Sequence, residues 1–423
     1  MENKKIKVIT ADWERPEAFL LSDYIVGGGF SVLKKIIKGE ISVADVIEEL
    51  EQSGLRGRGG SGFLLGLKWK LGREYSLSAK KFIFPARSSA YFICNADESE
   101  PGTYKDRAIL ENNPYPVFES IIVGSYILGA SESFIYLNGN YKETAVKLKK
   151  TISELKKAGW LGKNIQGSDF SLKIKLFQGA GSYVCGEETA LINSIEGKRG
   201  EPRLRPPYPV ESGLFGRPTV VNNVETLASV PFILQHGASK FKSLSRSQES
   251  FGTKIFLLNG PVKKPGLHEA PLGITIKKLI EKFGGGLNTN KKIKFAQVGG
   301  SGGSIIMPSD FDKPLGFSKE EIPAGSGAIL LVEEGFDVRK LISAWSGFFR
   351  RESCGQCVPC REGTYQLSLL AQKLAKGKLN KNDQEKIKDI IFTMERASFC
   401  AFGNFAVKGW KGVMDNLVDE IIE

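Results

Sequence analysis

Residues 352–363 read Glu352-Ser353-Cys354-Gly355-Gln356-Cys357-Val358-Pro359-Cys360-Arg361-Glu362-Gly363, and this stretch decides how the C-terminal part of the chain folds. It contains three of the six cysteines, and a fourth, Cys400, follows in Ser398-Phe399-Cys400. Three thiolates on one tight loop can bind three corners of an iron–sulfur cube, and a distant fourth can complete the set. Zinc sites more often have two separated C-x-x-C pairs or histidine ligands. The spacing therefore favours a cluster, with structural zinc as the alternative.

The length and composition are typical of a soluble globular protein with several domains. The chain has 423 residues, of which 41% are hydrophobic and 25% charged, and such a length predicts about three domains. The cysteine spacing requires reduced thiols, so a cytoplasmic location is expected. The charged N-terminus has no apolar stretch behind it, which predicts no signal peptide. No window approaches the ~20 apolar residues of a membrane span, so any membrane association is expected through a partner.

The net charge and the number of histidines make some classes of function less favoured than others. The formal net charge is +12, but the lysines are dispersed and no Arg/Lys run interleaves with aromatic residues. This pattern favours a solvated, mildly basic surface over a nucleic-acid groove. The only histidines are His236 and His268, which disfavours a His-rich metal site and a Ser-His-Asp triad.

Residues 54–63 form a glycine-rich loop, Gly-Leu-Arg-Gly-Arg-Gly-Gly-Ser-Gly-Phe. It contains a formal G-x-G-x-x-G, but a predicted helix precedes it, so it fails the test for an ordinary dinucleotide fold. Glycines still let backbone N–H groups approach phosphates or a flat ring, and the following helix start favours anions. The flanking cations Arg56, Arg58 and Lys68 favour phosphate binding over a merely flexible turn.

Short apolar runs that alternate with helical segments predict a parallel sheet. Residues 91–94 are such a run, and they lead into the acidic loop 95–102. Open α/β sheets bind ligands at the carboxyl ends of their strands, which is where this loop is expected. The acids Asp97, Glu98 and Glu100 repel phosphates and are better suited to ribityl or ribose hydroxyls, with a solvated acidic turn as the alternative.

Two later segments continue this pattern. Residues 172–191 show a strand, a glycine turn and a helix in direct succession, and Glu187 and Glu188 lie in the first helical turn. Capping and a role in the site are both open for these two acids. The proline-rich segment 200–209 is expected to hold Tyr208 on a defined wall. Asn222 and Asn223 precede a predicted helix, where their amides either cap it or bond a heteroaromatic edge.

The predicted fold class is α/β, with two smaller domains after the main one. Residues 1–55 are expected to form an N-terminal helical segment, 56–245 the α/β domain, 246–334 a β-grasp (ubiquitin-like) domain with ββαββ order, and 335–423 a four-helix bundle. The expected bundle helices are 338–350, 362–375, 383–394 and 405–421. The stretch 299–303, Gly-Gly-Ser-Gly-Gly, favours a simple linker over a ligand loop.

These motifs, taken in their unbroken order, closely resemble the NADH-binding flavoprotein subunits of bacterial respiratory complex I. The resemblance rests on residues 54–69, 94–102, 181–191, 206–209 and 352–363 and extends from about residue 15 to about residue 420. Diaphorase subunits of NAD-linked hydrogenases and formate dehydrogenases share the same core. Because they often carry extra domains that this sequence lacks, they are the alternative.

The resemblance implies a Rossmann-like domain that binds FMN and NADH, and one [4Fe-4S] cluster in the bundle. The loop shared by both nucleotides corresponds to Gly57, Arg58, Gly59 and Gly60. The implied FMN contacts are Lys68, Asn95, Asp97, Glu98, Ser99, Gly186, Glu187, Glu188, Asn222, Asn223 and Thr226. The implied NADH wall is Phe63, Glu100, Tyr183, Glu188 and Tyr208, with Glu100 and Glu188 as the catalytic residues. The implied cluster ligands are Cys354, Cys357, Cys360 and Cys400.

The expected activity follows from electron counting. NADH gives up two electrons as hydride and an iron–sulfur cube accepts one, so a flavin has to stand between them. The resemblance implies an NADH:quinone oxidoreductase subunit, whose partners are a thioredoxin-like [2Fe-2S] subunit and a larger iron–sulfur subunit. It implies a cytoplasmic location, peripheral on the inner face of the cell membrane, and no nucleic-acid partner. A competing class, a zinc-stapled nucleic-acid-binding protein, explains the charge and the thiols but leaves the acidic loop unused.

Overall fold

The computed structural model describes residues 7–14, 19–80, 89–377 and 379–423, and its first layer is a four-stranded parallel sheet. The strands are β1 (Tyr91–Ala96), β2 (Glu132–Leu137), β3 (Lys173–Gln178) and β4 (Thr219–Asn223), in the order β3-β2-β1-β4. The central strand is almost wholly buried, as is typical of a sheet covered on both faces. The sequence predicted the first three strands. It missed β4, a β-branched run that immediately precedes a helix.

Helices cover this sheet and also form the N-terminal part of the chain. Ser42 and Asp45 make a reciprocal capping box at the start of the third helix, as their three-residue spacing predicts. The helices are α1 (Leu21–Val26), α2 (Ser31–Ile37), α3 (Val43–Ser53), α4 (Leu65–Lys80), α5 (Lys105–Asn112), α6 (Tyr115–Leu128), α7 (Lys142–Lys157), α8 (Glu188–Ile195), α9 (Pro209–Ser212), α10 (Val224–Ala228), α11 (Val230–His236) and α12 (Ala238–Lys242).

One hydrophobic core joins the N-terminal helices to the parallel sheet. Leu33 of α2 and Leu50 of α3 belong to the same buried cluster as Phe92 of β1 and Ile135 of β2. The expected N-terminal helical segment therefore packs onto the α/β layers and shares their core.

A second, mixed sheet follows. Its strands are β5 (Thr253–Asn259), β6 (Gly266–Pro271), β7 (Ile293–Val298), β8 (Ser304–Ile306) and β11 (Ala328–Glu333), and it is accompanied by α13 (Ile276–Lys282) and the short pair β9 (Leu315–Gly316) and β10 (Ile322–Pro323). The order is β6-β5-β11-β7-β8. Strand β11 pairs with β5 in parallel, and the other neighbouring strands of this sheet are antiparallel. This is the expected β-grasp arrangement, with β8 as an additional edge strand.

Four helices complete the chain: α14 (Val338–Glu352), α15 (Val358–Ala375), α16 (Lys381–Ala397) and α17 (Ala401–Asn416). Trp345, Leu374, Met394 and Trp410 are buried in their common core. The first residues before α15 and α17 are Cys357 and Cys400, both with extended backbone. The last helix starts and ends before the predicted 405–421 because it begins directly after its cysteine. Within the described part of the chain, none of these helices has the length and apolarity to cross a bilayer.

A buried carboxyl ties the N-terminal helices to α6. Glu119 is 1% exposed, and its Oε2 accepts hydrogen bonds from the Tyr24 hydroxyl (2.5 Å) and the Phe30 N–H (2.9 Å). Its Oε1 has no partner among the described residues. Burial raises the pKa of Glu119 from 4.5 to about 7, because the charged form loses its solvation.

Replacing Glu119 by Gln is expected to flatten the pH dependence of stability. The folded chain holds the Glu119 proton more tightly than the unfolded chain, whose carboxyl ionises near its ordinary value. The contribution of Glu119 to the free energy of unfolding is therefore largest below pH 4.5 and falls as the pH rises to about 7, by up to about 3 kcal/mol.

Thermal unfolding of the wild type, Glu119→Gln and the exposed control Glu143→Gln between pH 4.5 and 8 measures this difference. We expect the difference in unfolding temperature between the wild type and Glu119→Gln to change with pH. The difference between the wild type and Glu143→Gln should stay constant. A pH-independent gap for Glu119→Gln would contradict the assignment.

Candidate active site

The candidate site lies where the chain reverses direction across the parallel sheet. From β1 the chain continues to β2 on one side, whereas β4 pairs with β1 on the other. Because β1 and β4 are parallel, with Asn95 opposite Asn223, their carboxyl ends open at the same edge. Open α/β sheets bind ligands at such a switch point.

The acidic loop after β1 presents one carboxyl that lacks a partner. Both oxygens of Asp97 are buried without a hydrogen bond from any described residue, and the Ser99 hydroxyl donates instead to the Asp97 backbone carbonyl (3.4 Å). Burial raises the pKa of Asp97 to about 7. Asn95 beside it donates to the Gly186 carbonyl (2.9 Å). A buried carboxyl of this kind requires donors, and the hydroxyls of a ribityl chain fit it, so the loop is suited to FMN.

The neighbouring Glu98 is engaged with the protein. Its carboxyl accepts from the backbone N–H groups of Asp106 (3.0 Å) and Arg107 (3.0 Å) at the start of α5. Burial and then the Asp106 carboxylate raise the pKa of Glu98 to about 7. Asp97 and Glu98 are both predicted FMN contacts. The Asp97 side chain has free oxygens, whereas the Glu98 side chain caps the N-terminus of α5.

The two acids at the start of α8 have different tasks. Glu187 caps the helix, accepting from the N–H groups of Thr189 and Ala190 at 2.9 Å each. Glu188 accepts from the Lys68 ammonium (3.0 Å), which also donates to the Val221 carbonyl (3.1 Å). The Arg205 guanidinium lies 3.6 Å from the other Glu188 oxygen. Thus Lys68 and Glu188, both predicted site residues, lie together as an ion pair, whereas Glu187 is used for capping.

The two predicted stacking rings are accessible to solvent. Phe63 is 45% exposed and Tyr208 is 50% exposed. The Lys68 ammonium lies 5.9 Å from the centroid of the Phe63 ring, and Tyr208 precedes α9, which starts at a proline. Exposed rings next to a site are available to stack on a base or a nicotinamide.

The glycine loop lies against β4. Gly60 has a φ of +118°, which favours glycine, and a Cβ at Gly59 would lie only 3.1 Å from the Asn223 side chain. The turn is closed by the Gly57 N–H, which donates to the Phe63 carbonyl (2.9 Å). The Arg58 guanidinium, expected to serve phosphate binding, is 0% exposed and donates to the Phe251 carbonyl (2.5 Å). Its charge is therefore directed into the protein.

The amides and the hydroxyl after β4 also have protein partners. Asn222 Oδ1 accepts from the Trp69 indole (2.8 Å), and Thr226 Oγ1 accepts from the Arg58 N–H (2.8 Å). Asn223 caps α10 through the Glu225 N–H (3.0 Å) and donates to Asp106 (2.7 Å). These contacts fix the loop backbones around the switch point.

Beneath these loops lies a buried ionic network that the sequence did not predict. It consists of three cations and three carboxylates, all buried: Arg58, Lys105, Lys254, Glu98, Asp106 and Glu225. Lys105 contacts Asp106 (2.6 Å) and Glu225 (3.0 Å), and Lys254 contacts Glu225 (3.1 Å). Burial raises the pKa of Glu225, but Lys254 and Lys105 outweigh it and hold this pKa below its usual value.

This network joins β5 to the glycine loop and to Glu225 of α10. The Lys254 ammonium donates to the Arg58 backbone carbonyl (2.7 Å) in the glycine loop, and the Ile255 N–H donates to Glu225 (2.8 Å). Because Lys254 and Ile255 belong to β5, the second sheet contributes directly to holding the glycine loop. No local pattern in the sequence signals such a contact.

A cavity of about 350 Å³ opens between the glycine loop, the second sheet and α17. Glu100 and Tyr183 lie in its wall: the Tyr183 hydroxyl donates to Glu100 Oε2 (2.7 Å) and the Ser301 N–H donates to Glu100 Oε1 (2.5 Å). Gly299, Gly302 and Gly303 also line it. Residues 299–303 connect β7 to β8, as the linker interpretation expected, and they also form part of the cavity wall. A role of this segment in ligand binding stays a prediction.

Tyr183 connects this cavity with the cysteine loop. Its ring packs edge-on against Phe348, Phe349 and Phe402 of the bundle, at centroid distances of 5.2–6.2 Å. Its backbone N–H donates to the Glu352 carboxylate (2.9 Å), two residues before Cys354. Tyr183 thus contacts both the cavity residue Glu100 and the residues that flank the predicted cluster ligands.

The four predicted ligand cysteines are free thiols at the tops of α15 and α17. Cys357 and Cys360 are buried and the other two half-buried. Burial raises the pKa of Cys360 to about 12 and of Cys400 to about 11, and the other cysteines of the group add to both shifts. Among the described residues, no group of three or more His, Cys, Asp or Glu is placed to hold a metal ion. The set of thiols suits an iron–sulfur cube by its chemistry, and its members remain predicted ligands.

A parallel sheet with a ligand loop at its switch point, joined to a bundle that presents four thiols, is an arrangement suited to a flavin- and iron–sulfur-dependent oxidoreductase. Residues 50–232 match the family model of the Nuo51 FMN-binding domain, and residues 340–423 match the NADH-ubiquinone oxidoreductase-F iron-sulfur binding region. The chain belongs to the NADH-quinone oxidoreductase-F family.

Relatives of this name are similar over almost the whole chain. The relative in Aquifex aeolicus is 41% identical over 411 residues, which are 96% of this chain and 92% of that protein. The relative in Mycobacterium bovis is 38% identical over 421 residues, or 98% and 92%. These matches confirm the predicted family, enzyme class, FMN and [4Fe-4S] cluster, and favour the cluster over zinc.

A solved structure is similar in fold. The crystal structure of an NAD+-reducing [NiFe]-hydrogenase in the H2-reduced state superposes with a TM-score of 0.82 at 33% identity and covers 93% of this chain. This chain spans 64% of that hydrogenase chain. The match confirms the predicted α/β fold class.

Replacing Lys254 by Met is expected to destabilise the protein and loosen the glycine loop. The change removes the donor to the Arg58 carbonyl and leaves Glu225 with one lysine partner fewer, and breaking a buried pair costs about 3 kcal/mol. The double variant Lys254→Met/Glu225→Gln is expected to recover part of this loss, because it also removes the unbalanced carboxylate.

Urea unfolding and the release of FMN fluorescence on dilution measure the two effects. The control is Lys277→Met, whose side chain is 57% exposed and which should behave as wild type. The network would have no positioning role if Lys254→Met matched this control in both measurements.

Proposed function

We propose that this chain is the NADH-oxidising subunit of a respiratory NADH-quinone oxidoreductase. When bound, FMN accepts hydride from NADH and the [4Fe-4S] cluster accepts electrons one at a time, which no side chain of the protein can do. The observation that carries the proposal is the contact through Tyr183. The Tyr183 hydroxyl donates a hydrogen bond to Glu100 in the cavity, and its backbone N–H donates one to Glu352, two residues before Cys354.

The residues that would hold FMN are those of the switch point. The free oxygens of Asp97 accept hydrogen bonds from hydroxyl groups, and the Lys68 ammonium offers a positive charge close by. Gly59 and Gly60 allow backbone to approach a flat ring. Cys354, Cys357, Cys360 and Cys400 would hold the cluster as thiolates.

The residues of the NADH side orient the substrate and exclude water. Phe63 and Tyr208 are exposed rings that can stack on the dinucleotide. Glu188, held by Lys68, presents a carboxylate that can accept from the nicotinamide carboxamide. Glu100 is fixed by Tyr183 and Ser301, and burial raises its pKa. Hydride transfer requires no general base, so these acids position the substrate.

We further propose the surroundings in which the protein works. Its partners are a thioredoxin-like [2Fe-2S] subunit and a larger iron–sulfur subunit, and it is peripheral on the cytoplasmic face of the cell membrane. The names of the relatives support a multisubunit complex. A second candidate is the diaphorase subunit of an NAD-linked hydrogenase, which the fold similarity at a TM-score of 0.82 favours.

Replacing Tyr208 by Ala is expected to weaken NADH binding while FMN stays bound. Loss of one stacking ring costs ~1–3 kcal/mol, so KM for NADH should rise about tenfold. Steady-state reduction of ferricyanide by NADH gives KM, and acid extraction gives the FMN content. Tyr365→Ala, an exposed ring on α15 that is 40% exposed, is the control. An unchanged KM for NADH in Tyr208→Ala would count against stacking at this position.

A further inference from the structure

Lys408 of α17 is a cation in the cavity wall without an ion pair among the described residues. It is half-buried, lines the cavity together with Glu100 and Tyr183, and lies 5.2 Å from the centroid of the Phe405 ring. The negative charge of Glu395 acts on Lys408, but that carboxylate already accepts from the Lys411 ammonium (2.9 Å). Burial lowers the pKa of Lys408, as expected for a charge that lacks a partner.

A second cation, Arg56, belongs to the same cavity wall. Arg56, also half-buried, lines the same space, and one of its nitrogens donates to the Gly62 carbonyl (3.1 Å). A guanidinium has further N–H groups, so this bond leaves donors for a ligand. Arg56 and Lys408 are the positively charged residues in the described wall.

The acid in the wall does not neutralise these cations. Glu100 lies there as well, but its two oxygens are engaged by the Tyr183 hydroxyl and the Ser301 N–H. Among the described residues no ion pair joins Glu100 to Arg56 or to Lys408, so both cations keep their charge available to a ligand.

The other residues of the cavity wall allow an anion to approach the protein backbone. Eight of the twenty residues around the cavity are glycines, which let N–H groups approach phosphate oxygens. Phe317 and Phe405 add flat apolar surface. A volume of about 350 Å³ holds part of a dinucleotide, within the ~300–1,000 Å³ usual for ligand pockets.

We propose that Lys408, together with Arg56, binds the phosphate groups of NADH. The inference rests on the proposed function and adds to it a residue that determines specificity. It has a structural consequence: α17 begins directly after Cys400, so the helix that presents a predicted cluster ligand also contacts the substrate. In this proposal α17 directly connects the bound dinucleotide with the bundle.

The test compares three variants in the assembled holoprotein. Lys408→Met removes the charge and keeps the chain length, Lys408→Arg keeps the charge, and Lys411→Met neutralises a lysine of the same helix that is paired with Glu395. Loss of one charge-assisted hydrogen bond should raise KM for NADH about tenfold in Lys408→Met with kcat unchanged. Lys408→Arg should stay within about twofold of the wild type, and Lys411→Met should match it.

A substrate without phosphate separates binding from indirect effects. Reduced nicotinamide riboside should have the same KM in the wild type and in Lys408→Met. An equal rise for riboside and NADH would show that Lys408 acts through the fold, and an unchanged KM for NADH would show that it does not contact the substrate. Either result overturns the proposal.

Inorganic pyrophosphate distinguishes the substrate's phosphates from a separate anion site. It should compete with NADH in the wild type and lose this effect in Lys408→Met. Non-competitive inhibition would overturn the proposal, because the anion would then occupy another place. Failure of the proposed function is seen separately, as a wild-type holoprotein that contains FMN and iron but does not oxidise NADH.

Discussion

The buried charges around Glu225 are the constraint on which the site depends. Three cations and three carboxylates are withdrawn from water, and each is tolerable only because the others compensate it. The contacts reach the glycine loop through the Arg58 carbonyl, the acidic loop through Glu98, and the end of β4 through Asn223. Lys254 brings the second sheet into the same set. The loops that surround the switch point are therefore held by one connected set of contacts.

Tyr183 makes a second connection, from the cavity to the bundle. Its hydroxyl donates to Glu100 in the cavity wall, whereas its ring and its backbone N–H contact the bundle, through aromatic residues of α14 and α17 and through Glu352 at the end of α14. A substrate site and an electron-accepting site require such proximity, because electrons pass between them without leaving the protein. The β-grasp sheet completes the cavity from the other side, so three structural units contribute to one space.

The sequence predicts well what depends on local pattern. The apolar runs of β1–β3, the capping box at Ser42, the β-grasp order and the four bundle helices all follow from short-range periodicity and turn residues. It fails where a contact joins distant segments. Nothing near Lys105 or Lys254 reveals a partner that is distant in the chain, and Arg58 could not be assigned to the interior before its neighbour Phe251 was placed. The run 299–303 looks the same in a linker and in a cavity wall.

The central claim is that one chain carries a flavin that NADH reduces and a cluster that takes electrons from it. Anaerobic addition of NADH to the isolated holoprotein, followed by visible absorption and electron paramagnetic resonance, tests it most directly in the wild type and in Cys357→Ala. In the wild type we expect flavin bleaching together with the signal of a reduced cluster. Cys357→Ala should contain less iron and show flavin bleaching without that signal. A colourless protein, or a Cys357→Ala variant with full iron content and the wild-type cluster signal, would contradict it.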